Sequence, residues 1–472
     1  MIEQPRMVVA GLRGGSGKTI LTLGLARHWQ KSGVRVKPFK KGPDYIDAVW
    51  SGRAAGQTAT NLDPFLMSDE QIRGLFAEQV QGFDLGLIEG NRGLFDGKDL
   101  DGSCSTAHIA RLLDSPVLLI IDCTKMTRTV AALVQGVLQF EPRLNIGGVV
   151  LNCTAGQRHR TILRQCIEIY TDVPVLGALP RMRRNPIPER HMGLISDQEY
   201  DADQALDEIS ESVRQWLDTE VILDLARQAP SLAAPCPVQW PAKRSTSGSV
   251  SIGVVKDTSL WFYSPENLTA LEKAGAEIVE VSLLEPRPWP EIHGLYLGGG
   301  FPETQAAHLA RNNRVLEHIA DLADRGMPIY AECGGLMVLC SELTFQEGSF
   351  PMAGVFPVTS EVSTKPQGHG YTLVRVQGRN PFHPVGTEFS GHEFHYSRCS
   401  CSQPPEPCLR MIRGTGLGSS CDGMLFKNTF ACYTHLHALS VPTWAPNFVR
   451  AAQTFKSCLD SGHQECPQII AS

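Results

Sequence analysis

The chain has 472 residues, enough for two or three domains. Its 42% hydrophobic and 19% charged content is that of an ordinary soluble globular protein, and a net charge of −6 gives no reason to expect nucleic acid or an anionic membrane as partner. No apolar run reaches the roughly 18 residues that a membrane span needs and no basic n-region or cleavage site follows Met1, so the fourteen cysteines are expected as reduced thiols in the cytoplasm.

Residues 7–12 form an apolar, β-rich run. Gly11-Leu-Arg-Gly-Gly-Ser-Gly-Lys18-Thr19 follows, and residues 20–30 carry helical periodicity. A glycine-rich loop between strand and helix is a phosphate cradle. Backbone N–H groups and the helix N-terminus hold the phosphates of a nucleotide, Lys18 reaches the β/γ oxygens, and Thr19 ligates Mg²⁺. The strict spacing fails by one residue, because Leu12 stands where the first glycine belongs. Residues 34–40 form the next strand, ending in Lys40-Lys41-Gly42-Pro43-Asp44-Tyr45-Ile46-Asp47. That octet reads as a polar turn, or as ligand-binding residues at the strand end where α/β folds keep their ligands. Residues 84–89 are a buried strand closing on Glu89, before Gly90-Asn-Arg-Gly-Leu-Phe-Asp96-Gly97. A carboxylate there, beside the phosphate-loop strand, would hold Mg²⁺ or its waters.

Strands at 116–122, 146–152 and 173–180 alternate with helices such as 130–140, which predicts a parallel doubly wound sheet. Asn152, at a strand end, reads as a turn former. Residues 187–194, with His191, precede a helix at 203–218. Pro230, Pro235, Pro237 and Pro241 among Ser and Ala mark 228–249 as a linker. This divides the chain into a unit at 1–227, a unit at 250–445 and a tail at 446–472.

The second unit restarts with a strand at 250–255, an aromatic turn at 256–267, a helix at 268–274 and a strand at 277–281. A later strand ends in Gly298, Gly299 and Gly300, whose N–H groups are placed to face a developing oxyanion. Residues 328–339 read as a strand, then Cys333, then Gly334 and Gly335, then a helix. That order is the geometry of a nucleophile elbow, where glycine tolerates the sharp turn. The helix dipole is expected to favour thiolate at Cys333. Tyr433-Thr434-His435-Leu436-His437 supplies the imidazole that a cysteine nucleophile requires. His392 and His395 have a metal-like spacing but alternate as in a strand. Cys399, Cys401 and Cys408 lack the paired spacing of zinc sites.

The phosphate loop, K-K-G-P-D-Y-I-D, A-E-C-G-G and H-L-H together resemble the cobyrinate a,c-diamide synthase family over about residues 7–440. The resemblance implies an α/β fold: an N-terminal P-loop doubly wound sheet of the dethiobiotin synthetase type, and a C-terminal class I glutamine amidotransferase-like domain. It implies that Cys333 attacks the amide of L-glutamine, that His435 activates it, and that Gly299, Gly300 and Gly334 form the oxyanion and glutamine loop. ATP would meet Gly15, Gly17, Lys18, Thr19 and Asn152. Mg²⁺ would meet Thr19, Asp44 and Glu89. A tetrapyrrole polycarboxylate would meet Lys41 (or Lys40 as charge partner), Tyr45, Asp47, Arg92 and Asp96. The implied reaction is ATP-dependent amidation of the a and c acetates of cobyrinate through an acyl phosphate, with ammonia released from glutamine.

Two departures keep alternatives open. Class I members mostly carry His-x-Glu. Here that position is His437, as in the cobyrinate-type pattern, and the third triad role is unassigned. Cobyrinate enzymes usually read E-G-x-M-G-L-[FY]-D-G, whereas this chain has Asn91 and Arg92, a pair more at home in the siroheme-amidating branch. Siroheme and nickel-sirohydrochlorin therefore stand as alternative substrates. A P-loop switch ATPase is a remoter alternative. Arg13 stands where that class carries a lysine, but a switch has no use for Cys333 and His435. No nucleic-acid or membrane partner is expected, and a homodimer is left open.

Overall fold

Uninterrupted apolar strands separated by amphipathic helices are what a parallel sheet covered on both faces requires. The computed structural model describes residues 3–182, 184, 186–187, 189–190, 193–194, 202–241, 249–401, 406–463 and 465–471. His191 and Pro188 of the 187–194 segment, and residues 242–248 of the linker, lie outside the described residues. The chain divides into two units, Met1–Val238 and Gln239–Ser472.

In the first unit β1 (Arg6–Gly11), β2 (Val36–Lys41), β3 (Thr60–Leu62), β4 (Leu85–Glu89), β5 (Val117–Asp122), β6 (Ile146–Thr154) and β7 (Val175–Pro180) form one sheet. Its order is β3-β2-β4-β1-β5-β6-β7, and every pairing is parallel. β1, β2 and β4 are buried along their whole length. The chain runs to one side of β1 through β4 and to the other side from β5 onward. The carboxyl ends of β1, β2 and β4 therefore meet at a topological switch point, where such sheets bind ligands. They carry the glycine loop, the Lys40–Asp47 octet and Glu89.

In the second unit six strands pair in the order Ala276–Val281, Val250–Val255, Gly294–Leu297, Ile329–Glu332, Thr429–Cys432 and Met424–Phe426. All are parallel except the final hairpin. Gly299–Gly300 turns away to pair antiparallel with Leu260–Phe262. His435–Leu436 joins a second sheet by pairing with Glu388–His395. The stretch set apart as a tail contains most of the helix Trp444–Asp460, which buries Trp444, Phe448 and Phe455. Trp444 and Phe448 pack on Tyr296 and Tyr330 of the central strands.

Candidate active sites

The first site is built on the loop between β1 and the helix Lys18–Lys31. Gly15 and Gly17 take left-handed conformations, φ 70° and 97°. A Cβ on Gly17 would lie 2.3 Å from Asn152 Nδ2, so the loop closes only with glycine there. Asn152 braces that loop: its Nδ2 donates to Ser16 O at 2.9 Å, and its Oδ1 accepts from Cys153 N at 2.8 Å. One amide hydrogen and one lone pair remain for a ligand. Next to it opens a cavity of about 220 Å³, lined among others by Gly17, Ile20, Asn152, Arg181 and Met182.

Thr19 Oγ1 donates to Glu89 Oε1 at 2.7 Å and lies 3.4 Å from Asp47 Oδ2. Between the two carboxylates sits the Lys40 ammonium, 2.5 Å from Asp47 Oδ2 and 2.8 Å from Glu89 Oε1. Burial alone would depress the Lys40 pKa, but Asp47 and Glu89 outweigh it and hold the lysine charged. Glu89 is itself fully buried, which raises its pKa against the pull of Lys40. Lys18 Nζ donates to Arg13 O at 3.1 Å, and burial followed by the nearby Lys40 lowers its pKa.

The octet divides its labour in a way its letters do not show. Successive residues of a strand face opposite ways. Lys40 therefore enters the carboxylate cluster, while Lys41 turns to the side of Asp63. Asp44 Oδ1 is spent on the Asp47 N–H at 3.0 Å, capping the helix Tyr45–Ala55. Burial and then Asp47 raise the Asp44 pKa to about 7. Asp47, read from sequence as a substrate residue, is the carboxylate that joins Thr19 and Glu89. Tyr45, half-buried, opens the same helix. Arg92 is exposed at φ 54°, and the Asp96 carboxylate accepts from Gly93 N at 2.9 Å, closing that loop.

A hydroxyl and two carboxylates that already hold a cation suit Mg²⁺, a hard ion with oxygen ligands. Among the described residues no group of three or more His, Cys, Asp and Glu converges as a metal site. An ion here would complete its shell with nucleotide phosphates and water.

The second site grows from the strand Ile329–Glu332. Its next residue, Cys333, sits at φ 47° and ψ −98°, and the helix Gly334–Leu339 begins at once. A non-glycine residue at positive φ costs of order 1–3 kcal/mol and needs its surroundings to hold it. Here the Cys333 N–H donates to Cys432 O at 2.8 Å and the Gly335 N–H to Gly298 O at 2.9 Å. A Cβ on Gly334 would come within 2.9 Å of Gly300 N, so the elbow rests directly on the glycine loop.

The surroundings of Cys333 favour the thiol over the thiolate expected from its helix. Burial pushes its pKa well up, Glu303 adds to that, and the Gly334 N–H opposes it only in part. The helix has six residues, too short for its dipole to overcome desolvation.

His435 is fixed from several directions. Asp422 accepts from the N–H groups of Tyr433 and Thr434, each at 3.0 Å. His435 Nδ1 lies 3.3 Å from Glu332 Oε2, and the ring stacks on His392 at 4.9 Å. His437 instead faces Glu266, Nε2 to Oε2 at 3.5 Å. Burial works against the charge of Glu266, yet His437 and Ser264 hold its carboxyl below the usual range. His395 is turned to Ser397 O at 2.8 Å and to Glu393 at 3.5 Å. Sequence reasoning passed over Glu332, although a charged residue closing a core strand is uncommon and was a readable signal.

Gly299 lies against the imidazole, and an added Cβ would sit 2.5 Å from His435 Cε1. Gly299→Ala should push that ring aside. A displacement near 1 Å can cost about a hundredfold, so a reaction that uses His435 as its base should slow by that order in steady-state assays. A wild-type rate in Gly299→Ala would show that the ring position is not critical.

Residues 7–195 match the CobQ/CobB/MinD/ParA nucleotide binding domain. Residues 251–443 match the CobB/CobQ-like glutamine amidotransferase domain. The chain is 41% identical to a cobyrinate a,c-diamide synthase of Magnetococcus marinus, over 94% of this chain and 97% of that protein. It is 36% identical to the protein of that name from Archaeoglobus fulgidus, covering 96% and 99%. The one from Salmonella typhimurium is likewise 36% identical, covering 94% and 98%.

Proposed function

The chain belongs to the cobyrinate a,c-diamide synthase family, and from that premise we propose that it is an ATP- and glutamine-dependent ligase that turns the a and c acetates of cobyrinate into amides. One observation carries the reading: a strained thiol elbow with an imidazole and a phosphate loop with a buried cation cluster occur on the same chain.

In the second unit Cys333 attacks the glutamine amide carbon while His435 takes the thiol proton. N–H groups of the Gly299–Gly300 loop and Gly334 face the oxyanion. The proton passes to the departing ammonia, and water then cleaves the thioester to glutamate. In the first unit a substrate carboxylate attacks the γ-phosphorus of ATP, giving the acyl phosphate and ADP. Ammonia displaces phosphate from that carbonyl to form the amide. Lys18 and Lys40 neutralise the transferring phosphoryl group. Thr19, Glu89 and Asp47 would hold Mg²⁺, which would supply charge neutralisation at the β and γ oxygens, with Asp44 as the capping carboxylate behind them. Gly15, Gly17 and the free valences of Asn152 serve ATP. Lys41, Tyr45, Arg92 and Asp96 line the approach of the macrocycle. Arg13 is bound to Asp122 at 2.7 Å, which does not favour the reading as a switch ATPase. Among the described residues no helix is long and apolar enough to cross a membrane.

Incubating the protein with cobyrinate, siroheme or nickel-sirohydrochlorin, together with ATP, Mg²⁺ and glutamine, tests this by mass. Cobyrinate should go to its diamide. Product from siroheme alone would favour the second reading, for which exposed Arg92 speaks. Arg92 would pair with an additional ring carboxylate. An exposed ion pair is worth up to about 1 kcal/mol, so Arg92→Met should change the cobyrinate-to-siroheme ratio of kcat/KM about fivefold. An unchanged ratio removes this loop as the selector.

A further inference from the structure

We infer that Glu332, the residue immediately before the nucleophile, is the carboxylate that positions His435 as its base. The inference rests on the proposed glutaminase reaction and fills the role that His437 cannot. Glu332 has no exposed surface. Its Oε2 lies 3.3 Å from His435 Nδ1, and its Oε1 accepts from the N–H of the following residue, Leu436, at 3.1 Å. One carboxylate thus fixes both the ring and the backbone beside it.

The carboxylate is anchored in turn. Tyr296, fully buried on the neighbouring strand, donates its hydroxyl to Glu332 Oε2 at 3.1 Å. Asn267 Nδ2 donates to that hydroxyl oxygen at 3.1 Å and also to Leu436 O at 3.1 Å. A buried carboxylate left without donors is costly, so this network holds Glu332 in place. An Nδ1–H given to Glu332 leaves Nε2 as the unprotonated nitrogen, the form a general base needs. His392, stacked on the ring, is kept neutral by burial. His437 is engaged with Glu266 and takes the Leu439 N–H on its Nδ1 at 3.3 Å. Cys333 is the acid to be deprotonated. The topology makes the arrangement direct. Glu332 pairs with Cys432 across parallel strands, and the chain leaving Cys432 returns three residues later as His435.

E332Q keeps the size and one acceptor oxygen for Leu436 but offers an amide N–H to Nδ1, which favours the wrong tautomer. The kcat for glutamine hydrolysis should fall on the order of 10⁴-fold, with KM for glutamine within about threefold, because uniform binding is untouched. E332D, whose carboxylate is drawn back by one methylene, should fall between E332Q and wild type. A structural role alone would instead lower the melting temperature in step with activity and give E332D no advantage. Wild-type kcat in E332Q would overturn the assignment. Should E332Q not fold, wild-type kcat in E332D would do so. Cys333→Ser run alongside separates the two levels. Glutaminase lost in Cys333→Ser but intact in E332Q sinks only the role of Glu332. Glutaminase that survives in Cys333→Ser sinks the reaction on which it rests.

Discussion

Cys333→Ser is expected to abolish amidation from glutamine while amidation from ammonium salts continues. The thiol is buried, and burial followed by Glu303 raises its pKa, which disfavours a standing thiolate. Its proton must be removed as the reaction proceeds, and His435 is the base at hand. A serine hydroxyl is a far weaker acid than a thiol, and its proton would not be taken at the same elbow. Removing the nucleophile of a triad has cost on the order of 10⁶ in kcat elsewhere. A fall in glutamine hydrolysis of that order should leave it at background. Free ammonia bypasses the step, since attack on an acyl phosphate needs only an unprotonated amine. The bypass should improve at high pH, where more of the ammonia is unprotonated. His435→Ala should behave in the same way. Equal loss with both nitrogen sources, in a variant that still melts cooperatively, would refute the assignment of Cys333.

The features legible in the sequence were those with strong local causes. Fully buried parallel strands leave uninterrupted apolar runs, so the residues at 84–89 and 116–122 were readable as β4 and β5. β3 has three residues, too few for any period to register. The glycine elbow at Cys333 was legible because the chain offers few other solutions to so sharp a turn. What remained hidden depends on which way a side chain faces. Lys40 and Lys41 are equal as letters, and only the pleat of β2 sends one into the carboxylate cluster. Asp44 caps the helix Tyr45–Ala55 through Oδ1 while Asp47 lies beside Thr19 and Lys40, a division that the letters do not show. Glu332 stands out as a charged residue closing a core strand, but its link to His435 is not legible, since the pair is joined only by the pairing of Ile329–Glu332 with Thr429–Cys432. The thiolate expectation failed on magnitude: a dipole effect confined to the first turn loses to full burial.

Lys18→Ala should remove amidation from both nitrogen sources and leave glutamine hydrolysis at a basal rate. Among the described residues Lys18 enters no ion pair. It donates to the Arg13 carbonyl of its own loop, and its charge is already made costly by burial and by Lys40. A phosphoryl group arriving in the loop would relieve that cost, which is what suits the residue to γ-phosphate transfer. This makes it a cleaner probe than Lys40, whose loss would leave Asp47 and Glu89 facing each other in the interior without a cation. Deleting one preorganised charge from a transition state costs about 10²–10³ in rate, and amidation with ammonium should fall by at least that factor. Glutamate release needs only Cys333, His435 and their supports, so it should persist. The two readouts are product mass and glutamate formed, taken from one preparation. Wild-type amidation by Lys18→Ala with ammonium would detach the loop from the chemistry and remove ATP from the proposed reaction.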